Sequence, residues 1–121
     1  MKAIHVVEPG RIAIADLPIP TPRDGEALLR VRYAGICGSD LQTYAGTQPF
    51  ATYPRVPGHE FSAEVVEVNG PVDGLAPGLL VTGNPYFNCG ACYSCRRGLV
   101  NCCENNQTMG VHRDGSFQEY I

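Results

Sequence analysis

Residues 88–103 read NCGACYSCRRGLVNCC and contain five of the six cysteines in the chain. Four of them follow the spacing C-x2-C-x2-C-x7-C: Cys89, Cys92, Cys95 and Cys103. Two-residue gaps let neighbouring thiolates converge on one ion, and four thiolates at about 2.3 Å in a tetrahedron form a closed structural zinc site. The stretch predicts a zinc-binding loop lobe over residues 84–108, with Cys102 as an ambiguous neighbour of the fourth ligand.

Two other interpretations of the cysteine cluster fit the sequence less well. Disulfides need an oxidising compartment and usually a secretory leader, whereas the chain opens on MKAIHVV, a short strand pattern without a long apolar run. An iron–sulfur motif of the ferredoxin type ends in C-x3-C-P, whereas the last gap here is x7 and Glu104 follows. Zinc is therefore the favoured occupant, and the lack of a leader or membrane span predicts a cytoplasmic protein.

The composition suits a single domain with many turns. The chain has 121 residues and a formal net charge of −3. That length is sufficient for a core, and the charge gives no indication of a nucleic-acid or acidic-membrane partner. The 14 glycines and 10 prolines indicate short strands rather than long helices.

Alternating polar and apolar residues predict a series of strands. They cover residues 1–7, 11–16, 26–33, 60–68 and 78–82, with a C-terminal hairpin over 110–121 that turns at 113–115. In the third strand, Leu29, Val31 and Tyr33 alternate with arginines and are expected to form a buried face. These strands predict a mainly β domain that closes as a partly open barrel.

One short helix interrupts the strand pattern. Ser39 or Asp40 is expected to cap it, and Gly46 is expected to end it after Ala45. Three aromatic residues in this helix and the loop after it are candidates for a pocket wall, although such residues more often serve packing: Tyr44, Phe50 and Tyr53.

A second group of metal-ligand residues flanks this helix. Cys37 and His59 are 22 residues apart, and Glu60 follows the histidine directly. A buried lone cysteine is common, but a thiolate, an imidazole and a carboxylate together form an incomplete ligand set, and catalytic zinc sites keep one position open. Asp40 is expected to hold the second ring nitrogen of His59.

The motifs GICGSD at residues 35–40, PGHE at 57–60 and the four spaced cysteines occur in one order along nearly the whole chain. In this the chain resembles the zinc-dependent medium-chain alcohol dehydrogenases, and within them the polyol and sugar-acid branch, which is sorbitol- or threonine-dehydrogenase-like. The resemblance implies that residues 1–121 form a GroES-like catalytic domain. A Rossmann domain follows in that family, so the chain is expected to be a truncated part without a cofactor site.

The resemblance also implies a role for each matching residue. The catalytic zinc would be held by Cys37 and His59, with Glu60 as a direct or transient ligand that also belongs to the catalytic machinery. Ser39 would pass on the substrate proton, and Asp40 would support His59.

The same resemblance selects the fourth cysteine of the structural zinc site. In the family an asparagine stands two residues before it, and Asn101 makes Cys103 the match rather than Cys102. The chain departs from the family at Gln42, where many members carry a histidine that relays the proton.

The implied activity is hydride transfer between an alcohol or a polyol or sugar-acid hydroxyl and NAD or NADP, with zinc at both sites. The full-length enzyme is expected to be a homo-oligomer, and the lone chain is expected to be inactive. Two alternatives are a stand-alone zinc-stabilised binding or scaffold module and a zinc-ribbon nucleic-acid binder. The second is disfavoured because the net charge is negative and no basic–aromatic stripe is present.

Overall fold

The computed structural model describes all residues, 1–121. The strands are β1 (Lys2–Glu8), β2 (Arg11–Asp16), β3 (Glu26–Gly35), β4 (Glu60–Asn69), β5 (Leu80–Val81), β6 (Tyr86–Phe87) and β7 (Gln107–Thr108). The helices are α1 (Gly38–Ala45) and α2 (Tyr93–Arg96), and a 3-10 turn covers Val100–Cys102. The mainly β composition with one short central helix is as predicted.

The strands form three small antiparallel sheets, β1-β2, β3-β4-β5 and β6-β7. The bounds predicted for the second strand are confirmed, and those of the other four strands differ by one or two residues at one or both ends. The β1-β2 hairpin turns at Gly10, whose φ of 78° is readily adopted by glycine alone.

The long pair of strands, β3 and β4, carries two bulges, one at Leu28/Leu29 and one near Tyr33. A bulge interrupts the two-residue alternation and changes which side chains face the core. As a result Leu28 is buried and Tyr33 is 80% exposed. The prediction of one buried face through Leu29, Val31 and Tyr33 is therefore wrong.

The C-terminal segment, residues 110–121, does not form the predicted hairpin: it begins with a turn over residues 110–112, and the rest pairs with distant strands. The backbone N–H of Ile4 donates to the Phe117 carbonyl at 2.8 Å, and Leu29 and Ile121 exchange two backbone hydrogen bonds at 2.8 and 2.9 Å. The segment therefore pairs with both β1 and β3, whose edges offered unpaired backbone groups. It closes the barrel between two sheets instead of folding on itself.

The N-cap of helix α1 lies two residues before Ser39 and three before Asp40, so the predicted caps are wrong. Cys37 is its N-cap, and Asp40 reaches back to accept the Cys37 backbone N–H at 2.8 Å. Gly46 ends the helix in the left-handed region with φ 77°, as predicted. The hydrogen bond from Asp40 therefore fixes the position of Cys37, which precedes the helix.

The buried apolar core lies between the sheets and outside the cysteine lobe. It consists of Ala3, Val6, Leu28, Val56, Phe61, Ala63, Val65 and Val111. Neither helix has the length and apolarity needed to cross a membrane.

Candidate metal centres and active site

The cysteine lobe brings four thiols together. The Sγ atoms of Cys89, Cys92, Cys95 and Cys103 all lie within 4.8 Å of one another. Four sulfurs at zinc-bonding distance in a tetrahedron would be about 3.8 Å apart. The cluster therefore fits a closed four-thiolate zinc site.

The structure places Cys103, and not Cys102, with the other three thiols. Cys102 ends the 3-10 turn, and its exposed thiol receives a weak contact from the Asn101 side chain at 3.6 Å. Cys103 follows the turn in extended conformation, and its thiol accepts the Cys89 backbone N–H at 3.3 Å.

Backbone donors favour thiolates in half of this cluster. The N–H groups of Ala91 and Cys92 lower the pKa of Cys89 to about 6, and those of Cys95 and Glu104 lower the pKa of Cys92. Burial, together with the neighbouring thiols, raises the pKa of Cys95 to about 11. A cation at the centre of the cluster would offset the raised pKa of Cys95, because thiolates are the metal-binding form of cysteine.

The second ligand group forms where β3 and β4 meet. Antiparallel pairing places Gly35, at the end of β3, opposite Glu60, at the start of β4. Ligand atoms of Cys37, His59 and Glu60 consequently lie within 4.8 Å of one another. A Cβ at Gly35 would come within 2.9 Å of the Glu60 carboxylate, so a larger residue there would displace the Glu60 side chain from its present position.

Asp40 ties the two halves of this group together. One carboxylate oxygen accepts the Cys37 N–H at 2.8 Å, and the other accepts the Gly58 N–H at 3.0 Å. The second oxygen also lies 3.6 Å from His59 Nδ1, which is buried and has no hydrogen-bond partner. Asp40 is therefore placed to orient the ring with Nε2 left for a metal.

Ser39 lies at the same edge of the ring. Its Oγ is 3.4 Å from His59 Nε2, and it occupies the first turn of α1. Gln42, one turn further on, is exposed, and its carbonyl accepts the backbone N–H of Thr47. The structure thus brings Ser39 to the ligand group, while the side chain of Gln42 makes no hydrogen bond to it.

A cavity of about 230 Å³ opens beside Ser39 and His59. Its other lining residues are Gln48, Phe50, Tyr86, Thr108, Val111 and His112. Sequence reasoning identified only Phe50 among these six. Gln48 lies in the same loop as Phe50, whereas the other four come from β6, β7 and the C-terminal segment, which no local pattern connects to Ser39 and His59.

The other two predicted pocket aromatics pack elsewhere. The Tyr44 hydroxyl donates to the Gly10 carbonyl at 2.9 Å, and the Tyr53 hydroxyl donates to the Thr43 carbonyl at 2.6 Å. Both anchor α1 and neither lines the cavity. A larger cavity of about 440 Å³ in the lobe is lined mainly by asparagines and has no histidine, carboxylate or thiol, so it is not a candidate reaction site.

The chain is similar to known proteins over most of its length. The family described as the alcohol dehydrogenase GroES-like domain matches residues 23–121. The chain is 43% identical to a Haemophilus influenzae protein described as an uncharacterized zinc-type alcohol dehydrogenase-like protein, covering 100% of this chain and 36% of that protein. It is 40% identical to L-galactonate-5-dehydrogenase of Escherichia coli, again over 100% of this chain and 36% of the relative.

A solved structure agrees closely with the fold. The alcohol dehydrogenase rspB of Escherichia coli CFT073, complexed with NADH, superposes with a TM-score of 0.90 at 42% identity, over 100% of this chain and 35% of that chain. The agreement confirms the predicted GroES-like fold class. The chain spans about a third of the length of these relatives.

Proposed function

The chain belongs to the alcohol dehydrogenase GroES-like domain family, and on this premise we propose that residues 1–121 are the zinc-binding catalytic domain of an oxidoreductase. The reaction is hydride transfer between an alcohol, polyol or sugar-acid hydroxyl and NAD or NADP. The observation that carries the proposal is the Cys37–His59–Glu60 group beside Ser39 at the edge of a cavity. Relatives described as zinc-type and as L-galactonate-5-dehydrogenase support the metal and the substrate class.

Two zinc sites follow from the donor sets. The four cysteines of the lobe would hold a structural ion with no open position, and Cys37, His59 and Glu60 would hold a catalytic ion with one position open. A zinc ion at the second site would supply the Lewis acidity that lowers the pKa of a substrate hydroxyl. No residue of this chain is assigned to the nicotinamide cofactor, which would accept the hydride.

The side chains around the second site have separate tasks. Asp40 orients His59 and fixes the N-terminus of α1 through its two backbone hydrogen bonds. The Ser39 hydroxyl relays the proton that the substrate hydroxyl gives up: it accepts that proton and passes its own outward to water, since it stands next to the metal-facing side of His59. The substrate loses this proton and a hydride and becomes a carbonyl compound.

Metal content of the purified chain tests the two-site arrangement. We expect about two zinc ions per chain after reconstitution, about one in Cys37→Ser and about two in Cys102→Ser, because Cys102 lies outside both groups. A Cys37→Ser chain that lost the lobe zinc would contradict the separation of the sites.

A cobalt-substituted chain tests whether the second site receives an alcohol. Addition of an alcohol is expected to change the visible spectrum of the cobalt at the Cys37 site, and this change is expected to be absent from Cys37→Ser. A spectrum that no alcohol alters in the wild-type chain would contradict the catalytic assignment.

A further inference from the structure

We propose that His112, assisted by Gln48, recognises an oxygen of a polyhydroxylated substrate at a distance from the hydroxyl that is oxidised. The inference rests on the proposed function, because it takes the reacting hydroxyl to lie beside Ser39 and His59. The proposed function concerns the reacting end of the substrate, and this inference adds recognition of the rest of the substrate molecule.

His112 and the reacting end share one small cavity. The cavity of about 230 Å³ is lined by Ser39 and His59 and also by His112 and Gln48. Its volume lies below the range of about 300–1,000 Å³ that is usual for drug-sized ligands, so it suits a short-chain substrate. A molecule bound at Ser39 would therefore extend toward the other lining side chains.

The ring of His112 is held by two contacts. The backbone N–H of Thr108 donates to His112 Nδ1 at 3.0 Å. Since a backbone N–H only donates, Nδ1 carries no proton, and in the neutral ring the proton is on Nε2. Phe50 stacks on the ring with centroids 5.9 Å apart. The ring makes no other side-chain hydrogen bond, so Nε2–H remains a fixed donor.

Gln48 adds a second donor to the same cavity. Its Oε1 accepts a long hydrogen bond of 3.5 Å from the Phe50 N–H, which leaves the amide NH₂ free. The lining contains neither lysine nor arginine. The imidazole N–H and the amide NH₂ complement the lone pairs of substrate hydroxyls or of a carboxylate, whereas a monohydric alcohol has no second oxygen to accept from them.

Nuclear magnetic resonance of the zinc-loaded chain, labelled with ¹⁵N in its histidines, tests this assignment. The chain has three histidines: His59 reports the reacting end, His112 reports the proposed contact, and His5 in β1 is the reference. We expect sorbitol, L-galactonate and 1-butanol all to shift the His59 signals. Only the two polyhydroxylated ligands are expected to shift the His112 signals.

Variants separate recognition from folding. His112→Phe retains a ring against Phe50 but lacks the donor, and it is expected to lower the ratio of sorbitol affinity to 1-butanol affinity by about five- to tenfold. His112→Gln is expected to restore part of the ratio, since its amide supplies a donor. The matched control His5→Gln is expected to leave the ratio unchanged.

Each outcome has a distinct meaning. If only L-galactonate depends on His112, the recognised group is a carboxylate, and if only sorbitol does, it is a hydroxyl; either supports the proposal. An equal loss of affinity for all three ligands would show a purely structural role and overturn it. If no ligand shifts His59, the proposed function itself fails.

Discussion

Asp40 is the residue on which the geometry of the candidate catalytic site depends most. It is 7% exposed and accepts backbone N–H groups from Cys37 and Gly58, which are far apart in the sequence. An amide in its place offers one acceptor oxygen, so one of the two N–H groups would face another donor. A buried donor without an acceptor costs about 1–3 kcal/mol.

We therefore expect Asp40→Asn to lower the free energy of unfolding by about 1–3 kcal/mol and to weaken zinc binding at the Cys37 site. Urea denaturation and metal titration measure the two effects. Asp73→Asn, at an exposed loop aspartate, is the matched control. An Asp40→Asn chain as stable as this control would refute the bridging role.

Glu64 provides a second test at the scale of one side chain. Hydrogen bonds from Arg32 and Arg30 hold its pKa below the ordinary value of 4.5. A carboxylate with a lowered pKa in the folded state stabilises the fold above the unfolded value, and this contribution is lost as the pH falls through the folded pKa. The relevant window therefore lies below about pH 4.5.

The expected result is that Glu64→Gln is less stable than the wild-type chain at pH 7 and that the difference shrinks toward pH 3. Urea midpoints at the two pH values measure it, and the comparison at each pH removes the shared effect of protonating the cysteines. Glu67→Gln, at an exposed position on the same strand without an ion pair, is the control. A difference that grew in acid would contradict the sign of the pKa shift.

At the scale of an element, the C-terminal segment both closes the barrel and supports the backbone before His59, a proposed zinc ligand. Residues 115–117 donate backbone hydrogen bonds to the carbonyls of residues 56–58, immediately before His59. Gly115 lies against the backbone of Pro57 and Gly58, where any Cβ would collide with carbonyl oxygens. The position of the ligand is therefore coupled to the closing segment.

Gly115→Ala is expected to lower the free energy of unfolding by about 1–3 kcal/mol. The added Cβ would overlap the backbone of Pro57 and Gly58, which cannot move aside by changing rotamer as a side chain can. Gly38→Ala is the control, since a Cβ there meets nothing within 4 Å. Thermal unfolding of the two variants, with zinc content measured alongside, tests the coupling. Equal melting temperatures would show that the segment is not tightly seated.

Local patterns in the sequence predicted part of the structure, but they did not predict the pairing of the closing segment. The grouping of Cys89, Cys92, Cys95 and Cys103 was predictable because the ligands are close in the chain, and the β1-β2 hairpin was predictable from local alternation. The turn residues around Gly115 indicated a local hairpin, but partners on β1 and β3 were available and distant contacts decided the outcome. His112 is held to Thr108 within a local turn, and it reaches the cavity because Gly110 in that turn packs against Gly58, a distant contact that no local pattern could reveal.

At the scale of the whole molecule, the cysteine lobe and the candidate active site share a wall. The lobe leaves the domain through β6 and returns through β7, where Tyr86 and Thr108 are directly paired. Both residues line the cavity beside Ser39 and His59, and Thr108 also holds the ring of His112. A metal that closes the lobe would thus fix the ends of the ribbon that shapes the cavity.

Loss of the lobe metal should therefore alter the cavity while the core remains folded. Structural zinc in small peptides contributes about 10–16 kcal/mol to folding, whereas no residue of the buried apolar core lies within residues 84–108. We expect Cys92→Ser to expose residues 84–108 to protease, to shift the His112 resonances and to leave residues 1–83 resistant. Mass mapping of limited proteolysis together with histidine spectra measures all three.

Cys102→Ser is the matched control, because that thiol neighbours the cluster without belonging to it. If Cys92→Ser left the lobe as resistant as this control, the four cysteines would not be held by a metal. If the lobe opened while the His112 resonances stayed in place, the ribbon would be fixed by its own strand pairing, and the metal would have no influence on the cavity. Only the joint change would show that a site without an open position for substrate nevertheless shapes the place where substrate binds.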